Sequence, residues 1–82
     1  MSLNILLVED DFALRSGLTE LLTREGYEVT TAASVHEAKV KLNPAVALIV
    51  LDVTLPDGNG VELCRDWRAA GVMQPKIGRA HV

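Results

Sequence analysis

Apolar and polar residues follow one another along the chain in blocks that predict alternating strands and helices. Residues 3–8 form a nearly continuous apolar run that ends at three consecutive acids, residues 9–11, as expected of a buried parallel strand followed by a loop. Leucines between positions 14 and 22 then recur at helical spacing, and Gly26 follows as a residue typical of a helix end. The first unit is therefore predicted to be a strand, an acidic loop and a helix.

A second strand and helix, and then a third strand, follow in the same order. Residues 27–31 are rich in β-branched side chains and predict a strand at a sheet edge. Ser34 stands three residues before Glu37, which is the spacing of a capping box at the start of a helix. Residues 46–51 form another continuous apolar run, the best candidate for a central strand, and this run ends at Asp52.

Turn-forming residues fill positions 55–60, and a third helix is predicted after them. The apolar stripe that this helix is expected to turn toward the sheet comprises Val61, Leu63, Cys64 and Trp67. Strands that alternate with helices of about ten residues predict right-handed crossovers and a parallel sheet. The expected fold class is therefore α/β with a doubly wound parallel sheet. Residues 74–77 look like the start of a fourth strand that the sequence does not complete, which leaves three βα units.

Composition and charge narrow the possible functions. The 82 residues carry 8 Lys and Arg against 11 Asp and Glu, a formal net charge of −3, which argues against direct nucleic-acid binding. The longest apolar run, residues 45–51, is too short to span a membrane, and no signal-peptide pattern is visible, so a cytoplasmic location is expected. A single cysteine, Cys64, excludes an internal disulfide and a cysteine-based zinc site.

Acidic residues follow two predicted strands at the end where parallel sheets bind ligands. Glu9 and Asp10 follow the first strand and Asp52 follows the third, so these carboxylates converge if the two strands are neighbours. Their mutual repulsion requires a cation, and Mg²⁺ fits because it binds through one or two carboxylates and completes its shell with water and phosphate oxygens. Such a site also equips an aspartate as a nucleophile toward a phosphoryl group. Asp52 is the expected nucleophile and Asp10 the expected metal ligand.

Three motifs in this order resemble one known family. They are ILLVEDD at residues 5–11, LIVLD at residues 48–52 and LPDGNG at residues 55–60. Together they resemble the receiver domain of bacterial two-component response regulators, most of all those attached to winged-helix transcription factors. The resemblance implies a flavodoxin-like fold in which the first three strands stand in the order 2-1-3. It also implies a signalling domain, not an enzyme, that accepts a phosphoryl group from a sensor histidine kinase and regulates transcription through its parent protein.

The resemblance implies a role for each acidic residue. Asp52 would be the phosphoacceptor, Asp10 a direct Mg²⁺ ligand, and Glu9 a ligand that acts largely through water. The backbone carbonyl of Thr54 would complete the protein's share of the metal shell, and Pro56 and Gly60 would shape the loop.

The resemblance covers residues 3 to about 76. Receivers continue with a fourth strand that ends in Ser or Thr and a fifth that ends in Lys, whose side chains bind the phosphoryl oxygens, and this sequence shows neither pattern. Residues 77–82 instead resemble a translated sequencing adapter. We therefore expect a partial receiver domain at residues 1–76 and a non-native tail at residues 77–82. The third strand would then lie at a sheet edge, where an exposed apolar strand favours self-association.

Two other classes of function stay open. A haloacid-dehalogenase-like phosphatase also uses a covalent aspartate, but it requires a second acid two residues after the nucleophile, where this chain has Thr54. A receiver-like interaction fragment that is not phosphorylated is the second alternative. The acidic residues argue against that alternative, and the missing strands argue for it.

Other polar or reactive residues fit structural roles. Asp11 is predicted to cap the first helix, and Asp57 is predicted to form a turn in which its side chain bonds nearby backbone. His36 is predicted to be an exposed helix residue. Cys64 and Trp67 are predicted to pack against the sheet without a redox or cofactor role.

Overall fold

The computed structural model describes residues 2–52 and 54–79, and within them it contains three helices and six strands. In chain order these elements are β1 (Asn4–Val8), α1 (Phe12–Arg24), β2 (Glu28–Ala32), α2 (Val35–Lys41), β3 (Val46–Asp52), β4 (Thr54–Leu55), β5 (Gly58–Asn59), α3 (Gly60–Ala69) and β6 (Lys76–Arg79). The predicted sequence of strands and helices is confirmed through α3. The predicted loop at residues 55–60 differs in one respect, because it contains a short antiparallel hairpin of β4 and β5.

Four of the strands form one parallel sheet in the order β2-β1-β3-β6. β1 lies inside the sheet because it pairs with β2 on one side and with β3 on the other. This arrangement confirms the α/β class and the predicted 2-1-3 order of the first three strands. In the register of β1 and β3, Val8 pairs with Leu51, so the carboxyl ends of the two strands lie side by side.

One expectation about the end of the chain, that the fourth strand is not completed, is wrong. A fourth sheet strand does form, because β6 pairs in parallel with residues 49–52 of β3. The second half of β3 is therefore flanked on both sides, whereas self-association of the chain stays a prediction. The physical reason is that ladder hydrogen bonds use backbone groups, so a segment that lacks the family's side chains can still pair. The expected tail at residues 77–82 falls partly in β6, and residues 80–82 lie outside the described part of the chain.

The main core lies between the sheet and the pair of helices α2 and α3. Its buried members are Leu6, Val8, Ala32, Ala38, Val46, Ile49, Leu51, Leu55, Leu63 and Trp67. The predicted inward positions of Leu63 and Trp67 are confirmed, and Cys64 packs against the same cluster while half-buried. Val61 was expected in this stripe, but it is 46% exposed because it faces away from the sheet at the first turn of α3.

The opposite face of the sheet is covered by α1, and incompletely. Side chains alternate along a strand, so Ile5 and Leu7 face this side, and both are buried. α1 packs mainly on β2 and β1. None of its residues is buried, and Leu21, one of the leucines at helical spacing, is 54% exposed. Ile77 of β6 lies in register with Val50 and is also 54% exposed, so the β6 side of this face has little cover.

The helix ends follow the predicted chemistry. Asp11 caps α1 by accepting a backbone hydrogen bond of 3.0 Å from its first turn, and the Ser34 hydroxyl accepts one of 3.1 Å from the N–H of Glu37. Gly26 and Gly71 follow α1 and α3 with φ angles of +95° and +84°, a region that favours glycine. Among the described helices, none is long and apolar enough to cross a membrane.

Candidate functional site

An acidic site forms where β1 and β3 end. Glu9 and Asp10 follow β1 directly, and Asp52 is the last residue of β3. The parallel register brings these strand ends together, and the three side chains offer carboxylate oxygens that all lie within 4.8 Å of one another. The structure therefore brings together the three acidic residues that the sequence singled out.

The three carboxylates differ in burial. Glu9 and Asp52 have no exposed surface, whereas Asp10 is exposed. Carboxylates this close repel one another most strongly where the surroundings are of low dielectric, and a nearby cation relieves that repulsion. Mg²⁺ takes oxygen ligands, binds through one or two carboxylates and keeps several waters. A set of two buried carboxylates and one that is open to solvent therefore fits a partly hydrated divalent cation.

Arg15 holds the loop that carries Glu9 and Asp10. Its Nη1 atom donates to the Glu9 carbonyl at 2.9 Å and to the Asp10 carbonyl at 3.4 Å. The Glu9 carboxylate in turn accepts a hydrogen bond of 3.1 Å from the N–H of Asp11. The guanidinium thus brings a positive charge beside the acidic site. Sequence reasoning did not identify Arg15, although its place one helical turn after the Asp11 cap points it back toward this loop.

The start of α3 contacts the backbone of Asp52. A Cβ atom built on Gly60 would overlap the carbonyl oxygen of Asp52 and would lie 2.7 Å from Cδ1 of Leu51. Since real Cβ atoms do not approach that closely, the space at position 60 admits a glycine alone. The absence of a side chain lets α3 begin directly against the strand end that carries Asp52.

Asp57 has longer-range partners than the turn prediction assigned. Its two carboxylate oxygens accept hydrogen bonds from the N–H of Val35 at 2.7 Å and from the N–H of His36 at 3.0 Å. These bonds, the one from His36 first, hold the pKa of Asp57 below its usual range. Val35 and His36 are the first two residues of α2, about twenty residues earlier in the chain. No local sequence pattern signals such a contact, so sequence reasoning missed it.

The remaining candidates are placed as follows. Thr54 is the first residue of β4, and the role of its backbone carbonyl as a metal ligand stays a prediction. His36 is exposed, Trp67 is buried in the core and Cys64 is half-buried, which confirms the exposure predicted for His36 and the packing predicted for the other two.

Two curated relatives illustrate what this sequence is similar to. The chain is 41% identical over 76 residues to the swarming motility regulation protein RssB of Serratia marcescens. This alignment covers 92% of this chain and 35% of that protein. It is 48% identical over 66 residues to the transcriptional regulatory protein AfsQ1 of Streptomyces coelicolor. This alignment covers 79% of this chain and 29% of that protein. The chain thus spans about a third of the length of the curated relatives that it matches.

Solved structures show the same architecture. The non-phosphorylated HemR receiver domain of Leptospira biflexa superposes with a TM-score of 0.88 at 38% identity, over 94% of this chain and 63% of that one. The chemotaxis response regulator CheY4 of Vibrio cholerae gives a TM-score of 0.88 at 30% identity, over 95% of this chain and 68% of that one. The response regulator MaeR, solved bound to beryllium trifluoride, gives 0.85 at 26% identity, over 100% of this chain and 69% of that one.

The sequence pattern of the response regulator receiver domain matches residues 5–77. The matched span includes both strand ends that form the acidic site and the hairpin that carries Asp57. The chain belongs to the response regulator receiver domain family.

Proposed function

We propose that this chain is a phosphoacceptor receiver domain in which Asp52 takes a phosphoryl group from a sensor histidine kinase. The observation that carries the proposal is the convergence of three carboxylates within 4.8 Å at the carboxyl end of a parallel sheet. Asp52 is assigned as the acceptor from its place in the LIVLD motif of the family.

The same residues would hold a magnesium ion. Asp10 and Asp52 would bind it through their carboxylates, Glu9 largely through water, and Thr54 through its backbone carbonyl. When bound, Mg²⁺ neutralises negative charge on the phosphoryl oxygens, which would otherwise repel the Asp52 carboxylate. The exposure of Asp10 leaves a path by which a hydrated ion and a phosphoryl donor reach the buried acceptor.

The transfer forms one bond and breaks one. An oxygen of the Asp52 carboxylate attacks phosphorus and forms an O–P bond, while the P–N bond to the kinase histidine breaks. The electron pair of that bond returns to the imidazole nitrogen, which takes up a proton from solvent. Arg15 keeps the β1–α1 loop in place during this step through its bonds to the carbonyls of Glu9 and Asp10.

A signalling role fits the site better than turnover of phosphate by an enzyme. Position 54, where a covalent-aspartate phosphatase of the alternative class needs a second acid, is occupied by Thr54. Thr54 cannot act as the acid–base group that such a phosphatase needs, so the phosphoryl group would remain on this domain longer than on an enzyme of that class.

The parent protein is proposed to be a transcriptional regulator that acts in the cytoplasm. AfsQ1 carries the name of a transcriptional regulatory protein, and the chain matches about a third of such relatives. Within this proposal residues 1–76 act as the receiver segment and residues 77–82 as a tail. The pairing of β6 with β3 means that residues 77–79 nevertheless add to the sheet.

The test is chemical phosphorylation of the chain with acetyl phosphate, followed by intact mass. We expect a gain of one phosphoryl group that requires Mg²⁺ and is abolished by Asp10→Asn. The rate should be slow compared with other receivers, because after Thr54 the sequence has no Ser or Thr and one Lys, Lys76, to hold the phosphoryl oxygens.

Asp11→Asn is the matched control, because Asp11 caps α1 and lies outside the carboxylate site. This variant should be labelled at the rate of the parent chain. Labelling that proceeds equally well in EDTA, or that is unaffected by Asp10→Asn, would refute the metal-dependent role proposed for the acidic site.

A further inference from the structure

The hairpin of β4 and β5 is attached to the rest of the protein on two sides. On one side the Asp57 carboxylate accepts hydrogen bonds from the first two N–H groups of α2, those of Val35 at 2.7 Å and His36 at 3.0 Å. On the other side Asn59 caps α3, since its Oδ1 atom accepts from the N–H of Val61 at 2.7 Å and of Glu62 at 3.3 Å. The hairpin therefore bridges two helices that pack on the same face of the sheet.

Close contacts continue from this bridge to the acidic site. Gly58 lies directly against Val35, and a Cβ atom at position 58 would be 3.0 Å from Val35 Cγ2. Within the hairpin, Thr54 pairs with Asn59 and Leu55 pairs with Gly58. Gly60, which follows Asn59 in the chain, lies directly against the backbone of Asp52. A continuous set of contacts thus links the start of α2 to the strand end that carries Asp52.

We propose that Asp57 is a positioning residue for the acidic site: its bonds to α2 hold the hairpin so that the backbone around Asp52 and Thr54 is set for metal binding. This inference rests on the proposed function, because it names Thr54 and Asp52 as parts of a metal site. Asp57 itself is not one of the residues in the carboxylate cluster.

The strength of the attachment comes from charge and from geometry. The lowered pKa of Asp57, caused first by the His36 N–H bond, keeps its carboxylate ionised at neutral pH. Hydrogen bonds from backbone N–H groups to an ionised carboxylate at a helix start are among the stronger ones available. A loop that is held in place loses less conformational entropy when a ligand orders it, so removal of the attachment should weaken metal binding.

A simpler role for Asp57 would be to stabilise α2 without positioning the acidic site. A substitution at Ser34 distinguishes these two roles. Ser34 caps the same helix by accepting the N–H of Glu37 at 3.1 Å, but it does not join the helix to the hairpin. Ser34→Ala therefore removes a cap of α2 and leaves the bridge in place. Asp57→Ala removes both the cap and the bridge.

The experiment is a Mg²⁺ titration of the chain followed by NMR amide shifts, with hydrogen exchange of the hairpin amides measured before metal is added. We expect Asp57→Ala to weaken Mg²⁺ affinity about threefold to tenfold, the equivalent of one net hydrogen bond, and to speed exchange in β4 and β5. Asp57→Asn retains one accepting oxygen and should fall between the parent chain and Asp57→Ala. Ser34→Ala should bind Mg²⁺ as the parent chain does.

Each outcome decides the proposal. Equal Mg²⁺ affinity in Asp57→Ala and the parent chain overturns it, as does an equal loss in Ser34→Ala, which would show that α2 stability alone matters. Unchanged hairpin exchange in Asp57→Ala overturns the attachment whatever the metal does. If the parent chain binds no Mg²⁺, or Asp10→Asn binds it equally well, the proposed function fails, and faster hairpin exchange in Asp57→Ala would then support the attachment but not its role in metal binding.

Discussion

Replacement of Gly60 by alanine tests whether the start of α3 sets the backbone of Asp52. The added Cβ would overlap the Asp52 carbonyl oxygen and lie 2.7 Å from Leu51 Cδ1 and 3.0 Å from the Asp52 carbonyl carbon. Both neighbours are buried, with 1% exposure for Leu51 and none for Asp52, so neither can move without disturbing β3.

The magnitude follows from two opposing effects. Overpacking of a dense interior costs about 1–3 kcal/mol of stability. Because backbone atoms cannot rotate away from the overlap, we expect the packing cost of Gly60→Ala to be about 3 kcal/mol, at the upper end of this range. Alanine recovers up to about 1 kcal/mol of helix propensity relative to glycine. We therefore expect a net loss of about 2 kcal/mol in the free energy of unfolding, a large part of the stability of a domain of this size. Since the conflict moves Asp52, Mg²⁺ affinity should fall as well.

The assay is urea unfolding followed by Trp67 fluorescence, which reports on the core because this side chain is 5% exposed. With a slope near 1 kcal/mol per molar urea for a small domain, the midpoint of Gly60→Ala should fall by about 2 M. Gly17→Ala is the matched control, because a Cβ there has no neighbour within 4 Å. Because Gly17 is exposed inside α1, Gly17→Ala should raise the free energy of unfolding by about 0.5–1 kcal/mol.

The two glycine variants should thus shift stability in opposite directions. An unfolding midpoint for Gly60→Ala equal to or above that of the parent chain would refute the close contact between α3 and Asp52. A loss of stability in Gly60→Ala with unchanged Mg²⁺ affinity would confine the effect to packing and would contradict its link to the acidic site.

Two further predictions concern the core and the pH dependence. Leu63→Ala removes a side chain that is 1% exposed and should cost about 2–5 kcal/mol by urea unfolding, whereas Val61→Ala, at a position 46% exposed, should change stability by less than about 0.5 kcal/mol. The Lys41 ammonium and the Ala33 N–H lower the pKa of Glu37, and backbone N–H groups lower that of Asp57, from ordinary values of 4.5 and 3.8. The folded protein therefore binds these protons less tightly than the unfolded chain, so stability should be level above those values and fall as pH drops below them. Urea unfolding of metal-free Asp57→Asn at a series of pH values should show a smaller loss of stability at acid pH than the parent chain. An equal loss would contradict the lowered pKa of Asp57.

The order of strands and helices could be predicted because its signals are local. Apolar runs, the Ser34 cap and the glycines after helices act within a few residues, and all of them are found where expected. The acidic site was predictable for a related reason: once the sheet is parallel, the ends of neighbouring strands must meet at one edge.

The errors arise where the outcome depends on distant parts of the chain. β6 was missed because backbone pairing with β3 does not require a recognisable side-chain pattern. The roles of Arg15 and Asp57 were missed because each depends on a backbone group that only the folded chain brings within reach.

The central claim is that Asp52 is the phosphoacceptor, and mapping of the modified residue tests it most directly. The chain is treated with acetyl phosphate and Mg²⁺, reduced with borohydride, which converts an aspartyl phosphate to homoserine, and digested for peptide mass spectrometry. The account predicts homoserine at position 52, found only when Mg²⁺ is present and absent from Asp52→Asn. Homoserine at Asp10 or Asp57 in place of position 52, or no reduced residue in the Mg²⁺-treated chain, would contradict it.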